Sequence, residues 1–247
     1  MNKLPITAIA VFLFLSIFYL QWRRHYFKRI PAHDKLINSR FYISPFACFT
    51  ALTVLTAFID PSLRIAIQKI QHPLLIGLIH LGGWLGQGTN LWFVLSIIYL
   101  FFLTLQRPTS CDNTFGCILS AGLASLLCTS LKLIFLRARP YSNFGHLSFL
   151  NWPGLIHHKS AFQSFPSGDT AIVSAVAFYL FYRLRKFYLS PAVLIFPLAT
   201  ALSRVFLNRH WPSDTIFAMG LGLVSAQLIF QYENLPPKSS GMAKNHN

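Results

Sequence analysis

The chain has 247 residues, 54% of them hydrophobic and 15% aromatic, with a mean hydropathy of +0.50. Only 11% are charged, against about 25% in a soluble domain, which excludes an ordinary cytosolic enzyme and a disordered chain. The net charge of +15 is scattered between apolar runs, so it marks membrane loops and no nucleic-acid surface.

About 20 apolar residues make one bilayer-spanning helix. The first such stretch, 4–22, reads as an uncleaved anchor: only Lys3 precedes it, no small-residue cleavage site follows, and Gln21-Trp22-Arg23-Arg24 comes next. Further spans are expected at 43–59, 90–106, 115–136, 167–182, 190–207 and 214–231. Between the second and third, residues 62–70 are amphipathic and are placed along the outer interface. Gly82–Gly88 is read as a flexible turn into the third span. The expected architecture is all-α: a polytopic transmembrane helical bundle with a six-span core at 43–231. Residues 1–42 add an amino-terminal span and a basic loop, and 232–247 form a disordered tail.

Lys and Arg set the orientation. Twelve fall in loops 23–42, 107–114 and 183–189 and in the tail, which is taken as the cytoplasmic side; eight fall opposite. The amino terminus is then outside and the carboxyl terminus inside. Cys48, Cys111, Cys117 and Cys128 show neither paired nor metal-type spacing and are read as small packing residues.

Ionisable groups inside or at the mouth of membrane helices are costly, so each is a functional candidate. Three clusters lie on the outer side. In the first, Lys132 and Arg139 are separated by nearly two helical turns and are read as sharing a face, with Pro140 ending the helix. Alone, they would also pass as a snorkelling lysine and flanking charge. The second, Pro166-Ser167-Gly168-Asp169, opens a span where unpaired backbone amides make an anion site, although Ser and Asp also serve as plain helix caps.

The third runs from Ser203-Arg204 through Arg209 and His210 to Asp214. His210 and Asp214 have the spacing at which a carboxylate orients an imidazole. Together the clusters offer fixed positive charge, a helix amino terminus and a nucleophile, which is what phosphoryl transfer without a metal requires. A two-metal mechanism would need more acidic ligands than six acids spread over the chain supply. No metal and no cofactor are expected.

The order Lys-x6-Arg-Pro (Lys132 to Pro140), Pro-Ser-Gly (Pro166 to Gly168) and Ser-Arg-x5-His-x3-Asp (Ser203 to Asp214) resembles the type 2 phosphatidic acid phosphatase superfamily. The resemblance covers about 43–231 and implies a membrane lipid phosphatase. It implies that His210 attacks phosphorus to form a phosphohistidine and that Asp214 fixes its tautomer. Lys132, Arg139, Arg204 and the amides near Ser167 and Gly168 would hold the phosphate. The family's second motif normally continues with a histidine that protonates the leaving oxygen; Asp169 stands there instead.

Three outcomes follow from that departure. Asp169 acts as the acid after desolvation, or a loop histidine (His146, His157 or His158) replaces it, or the leaving group needs little protonation. The last suits a phosphoanhydride or an anomeric phosphate. By the resemblance, the substrate is lipid A, a polyprenyl pyrophosphate or phosphatidylglycerol phosphate. Its phosphate would lie at the periplasmic face of a bacterial inner membrane. The loop aromatics Tyr141, Phe144, Phe149, Trp152 and Phe162 read as interfacial anchors or as a headgroup lid. A lipid phosphotransferase and a lipid-binding or transport protein with an impaired site are the rival functions. A vanadate-dependent haloperoxidase shares the anion site but is soluble.

Overall fold

The computed structural model describes residues 39–149, 160–184 and 191–233. The expected span 4–22, His157, His158, Trp152 and almost all of the expected tail lie outside the described residues. Among the described residues there are eight α-helices: α1 (Ser39–Ala57), α2 (Asp60–Gln68), α3 (Pro73–Leu85), α4 (Gly88–Thr104), α5 (Pro108–Phe135), α6 (Gly168–Leu184), α7 (Ile195–Phe206) and α8 (Pro212–Glu233). No strand occurs among the described residues, where one isolated bridge joins Arg137 to Phe149.

The architecture is the expected all-α transmembrane bundle. α5 and α8 are each long and apolar enough to cross a bilayer. The pairs α1–α2 and α3–α4 pass that test together but are bent by 83° and 71°. Apolar side chains such as Leu55, Phe93, Ile97, Leu126, Ile134 and Leu198 point outward, as lipid-facing positions do. The chain is an integral membrane protein.

Two expectations need correction. The expected turn over Gly82–Gly88 shrinks to Gly86-Gln87, where α3 and α4 meet at 71°: α3 runs through Gly82 and Gly83 to Leu85, and both glycines are buried. Their lack of side chains lets α3 lie against α7, the small-residue route to close packing that membrane helices use. A glycine pair reads as a loop in a soluble sequence and as a helix contact here. The second correction concerns the end of α5. It stops at Phe135, with Leu136 in the left-handed conformation (φ 44°), so Arg139 lies in extended chain beyond the helix. Lys132 and Arg139 therefore share no helical face, and Pro140 starts a short 3-10 turn instead of ending α5.

At the centre, α8 packs against α6, α1 and α5. Small side chains line this junction: Ala124 and Cys128 from α5, Ala171 and Ala175 from α6, Ala218 from α8. A Cβ on Gly222 would lie 2.5 Å from the Cβ of Ser174 and 2.7 Å from the Ala171 carbonyl, so only glycine fits this crossing. Cys111, Cys117 and Cys128 are buried, as packing residues are, whereas Cys48 is exposed. At the end away from the motif clusters, Arg183 and the Tyr179 hydroxyl both bond Glu233, tying α6 to α8. The junction fixes where the first turns of α6 and α8 emerge, and the chemistry-bearing residues sit there.

Candidate active site

The site is assembled by backbone carbonyls of the segment before α6. Lys132, in the last turn of α5, donates its Nζ to the Gln163 carbonyl at 3.2 Å. Arg139 reaches the same oxygen more weakly, at 3.4 Å. The two cations thus converge through a shared acceptor. Lys132 Nζ also lies 3.9 Å from where a Gly168 Cβ would stand, next to the start of α6. Arg139 Nε is buried with no partner among the described residues, a donor still available to an anion.

At the start of α6, Ser167 is fully buried and its hydroxyl meets that of Thr170 at 2.9 Å. The expected open amide at Ser167 is already engaged: it donates to the Asp214 backbone carbonyl at 3.2 Å. The amides of Gly168 to Thr170 follow in the first helical turn, where no preceding carbonyl can accept them within the helix. They carry the anion-binding end of the helix dipole.

The turn after α7 folds His210 back over Arg204, whose carbonyl accepts the His210 amide at 3.2 Å. His210 is 4% exposed. Its Nδ1–H donates to the Ser164 carbonyl at 2.7 Å, which assigns the lone pair to Nε2. Asp214 does not make that bond: its Oδ2 stands 3.8 Å from Nδ1. Asp214 instead accepts from the Ser164 hydroxyl, from the Trp211 amide at 2.9 Å and from Arg137 at 2.6 Å. Burial pushes the His210 imidazole down from its ordinary 6.5 to about 4, with Lys132 and Arg139 adding to the effect against the opposing Asp214. A neutral imidazole at neutral pH is the form that can attack phosphorus.

Arg204 is 4% exposed and donates its Nη2 to the carbonyl of Gly83 on α3. Its Nε lies 3.3 Å from Asp169 Oδ2. The other oxygen of Asp169 accepts the Gly88 amide at 3.0 Å, capping the start of α4. Asp169 therefore holds the start of α4 with one oxygen and pairs with Arg204 through the other. Beside this pair opens a cleft of about 540 Å³, lined by His80, Trp84, Gln87, Trp92, Arg204 and Arg209 among others.

The structure thus brings Lys132, Arg139, Ser167, Gly168, Arg204, His210 and Asp214 to one end of the bundle, with Asp169 at its rim. Sequence reasoning missed Arg137, Ser164 and Gln163. Arg137 enters the sequence reading only as one of the eight outer charges; its partners Asp60 and Asp214 each lie 77 positions away, beyond any local pattern. The carbonyls of Gln163 and Ser164 leave no trace in side-chain patterns. Of the three loop histidines, only His146 is described; its ring packs on Trp211, with centroids 5.9 Å apart. Among the described residues no three His, Cys, Asp or Glu side chains gather as a metal site would need.

The model of the PAP2 superfamily matches residues 113–236, about half of the chain and all of these motif residues. A lipid A 1-phosphatase of Rhizobium johnstonii is 32% identical over 162 residues, 58% of this chain and 63% of that protein's own length. A lipid A 4'-phosphatase of Porphyromonas gingivalis is 25% identical over 182 residues, 70% of this chain and 72% of that protein. Among solved structures, a transmembrane PAP2-type phosphatidylglycerolphosphate phosphatase from Bacillus subtilis shares the fold. Its TM-score is 0.57 at 23% identity, over 77% of this chain and 94% of that one. Fold, motif order and family match agree: the chain belongs to the PAP2 superfamily.

Proposed function

We propose that the protein is a membrane lipid phosphatase that works through a phosphohistidine on His210, at the outer face of a bacterial inner membrane. One observation carries the reading. The Ser164 carbonyl takes the Nδ1–H of a buried, neutral His210, which leaves the lone pair on Nε2, while the neighbouring Gln163 carbonyl gathers Lys132 and Arg139. In the first step Nε2 forms a bond to phosphorus while the bond to the leaving oxygen breaks. Lys132, Arg139, Arg204 and the first-turn amides of α6 balance the charge on the phosphoryl oxygens. Water then attacks the phosphohistidine and releases inorganic phosphate, returning the imidazole to its neutral state.

Asp169 serves in this scheme as the ion-pair anchor of Arg204 and not as the proton donor: one oxygen accepts the Gly88 amide and the other faces the Arg204 guanidinium. A leaving group that departs without strong acid help fits best, as a phosphoanhydride or an anomeric phosphate does. The similarity to lipid A phosphatases supports that substrate class, and the cleft beside Arg204 gives the leaving headgroup a place. The twelve-to-eight distribution of Lys and Arg supports the outer placement.

The test is phosphate release by detergent-purified protein from lipid A, a polyprenyl pyrophosphate, phosphatidic acid and phosphatidylglycerol phosphate. Release from the first or second, abolished in His210→Ala, is the expected result. Transfer of the phosphoryl group to a lipid acceptor in place of water would make the protein a transferase. Unchanged silence across all four would remove the enzyme reading.

A further inference from the structure

Asp60 opens α2 at the 83° bend from α1, and it is fully buried although it belongs to none of the three motif clusters. Its Oδ1 accepts the amide of Ser213, in the first turn of α8, at 2.8 Å. Its Oδ2 accepts the Ser213 hydroxyl and, at 2.7 Å, the Nη2 of Arg137. Arg137 is 4% exposed and every nitrogen of its guanidinium is used. Nε donates to the His146 carbonyl at 2.8 Å, and Nη1 donates to Ser213 Oγ at 2.8 Å and to Asp214 Oδ1 at 2.6 Å. The guanidinium also lies 5.9 Å from the ring centre of Trp211, the residue that follows His210.

A relay of bonds therefore runs from Asp60 through Arg137 to Asp214, on to the Ser164 hydroxyl, and from the Ser164 carbonyl to His210. Every residue of the relay is buried. Burying one guanidinium between two carboxylates is costly, and apolar side chains of the same volume commonly serve stability as well or better. What the ionic arrangement supplies is direction. Asp60 holds the first turn of α8, which carries Asp214, while Arg137 holds the Asp214 carboxylate itself. In-line attack needs Nε2 placed to within about 1 Å, a misplacement of that size costing about 100-fold.

We propose that Asp60 and Arg137 are positioning residues for phosphoryl transfer, fixing the His210 ring through Asp214 and Ser164. The proposal rests on the reading of His210 as nucleophile. It is distinct from phosphate binding, because Asp60, Arg137 and Ser213 spend their polar atoms on one another, on Asp214 and on the His146 carbonyl.

The test compares Asp60→Asn, Arg137→Lys, their double variant and the milder Ser213→Ala in the full-length purified protein. Activity is expressed per folded molecule on the lipid that the wild type cleaves. Asp60→Asn is expected to lower kcat by about 10- to 100-fold while KM and inhibition by inorganic phosphate change less than about twofold. Inhibition by orthovanadate, whose five-coordinate form demands an aligned Nε2, should weaken in step with kcat. In Arg137→Lys the Asp60→Asn change should add little, as expected of two residues in one relay.

Should Asp60→Asn fail to fold, Ser213→Ala gives the same division, with kcat lowered by about 3- to 10-fold. A nitrogen-15 spectrum of labelled histidine gives a readout that does not need turnover. The wild type should show His210 as the Nδ1–H tautomer, and Asp60→Asn should show a mixture. Unchanged kcat per folded molecule, or raised KM with kcat intact, overturns the proposal. Absence of wild-type release with the tautomer change present instead overturns the enzyme reading and leaves the relay standing.

Discussion

Asp169 and Arg204 face each other at the rim of the site, Oδ2 to Nε at 3.3 Å, while the second oxygen of Asp169 caps α4 at Gly88. One carboxylate thus ties α6, α7 and α4 together. Arg204 also donates to Gly83 on α3, so its position is fixed by three helices before any substrate arrives. The same pairing offsets part of the positive charge that Arg204 would offer a phosphate.

That pairing makes Asp169→Asn informative. The amide oxygen can still accept the Gly88 amide, but the ion pair is gone and Arg204 is freed towards phosphate. The expected outcome is tighter inhibition by inorganic phosphate and a change in kcat smaller than about tenfold. Loss of a general acid would instead cost about 10²- to 10⁴-fold. Steady-state kinetics on the cleaved lipid, with phosphate as inhibitor, separates the two.

Burial of His210 makes a pH prediction whose sign is fixed. Its folded value, about 4, lies below the ordinary 6.5, so between those values the unfolded chain binds the extra proton. The stabilisation tied to neutral His210 is therefore fully present above pH 6.5 and is lost as pH falls towards 4. Its slope is at most about 1.4 kcal/mol per pH unit. Thermal unfolding of wild type and His210→Asn across pH 4.5–8 should show this acid slope in the wild type and not in the variant. Parallel curves would mean that His210 is not held neutral by the fold.

Gly83 couples packing to phosphate binding. A Cβ there would lie 2.1 Å from Ser203 Oγ, a distance no relaxed structure allows, whereas Gly77 on the same helix has nothing within 4 Å. Gly83→Ala must turn the Ser203 hydroxyl away and, with Ser203 Cβ at 3.1 Å, shift α3 from α7 by a few tenths of an ångström, carrying the carbonyl that holds Arg204 with it. It is expected to lower Tm and raise KM by about tenfold, while Gly77→Ala leaves both near wild type. Equal behaviour of the two variants would contradict the role given to the α3–α7 contact.

Much of the site was legible because charge is rare in this chain. Lys132, Arg139, Arg204, His210 and Asp214 stand out against apolar runs, and their spacing survives in the fold as one cluster. What failed were inferences from helical geometry. Lys132 and Arg139 were placed on one helix face, but Leu136 adopts the left-handed conformation and the two cations meet through the Gln163 carbonyl instead. His210 and Asp214 do pair, Oδ2 standing 3.8 Å from Nδ1, but His210 lies before α8 and its ring hydrogen bond goes to a carbonyl.

The Asp60–Arg137 contact was hidden for a different reason. It joins residues 77 positions apart, and local periodicity carries no information about such a pair. The glycines of α3 misled because the same residue that bends a loop also lets two membrane helices touch.

The most direct test of the account is to trap the covalent intermediate. Purified protein is mixed with substrate carrying a radiolabelled phosphate, quenched within milliseconds in alkali, digested, and the labelled peptide identified. The account predicts an acid-labile, alkali-stable phosphoryl group on His210, absent from His210→Asn. Phosphate release with no labelled protein, or label that persists in His210→Asn, would contradict it.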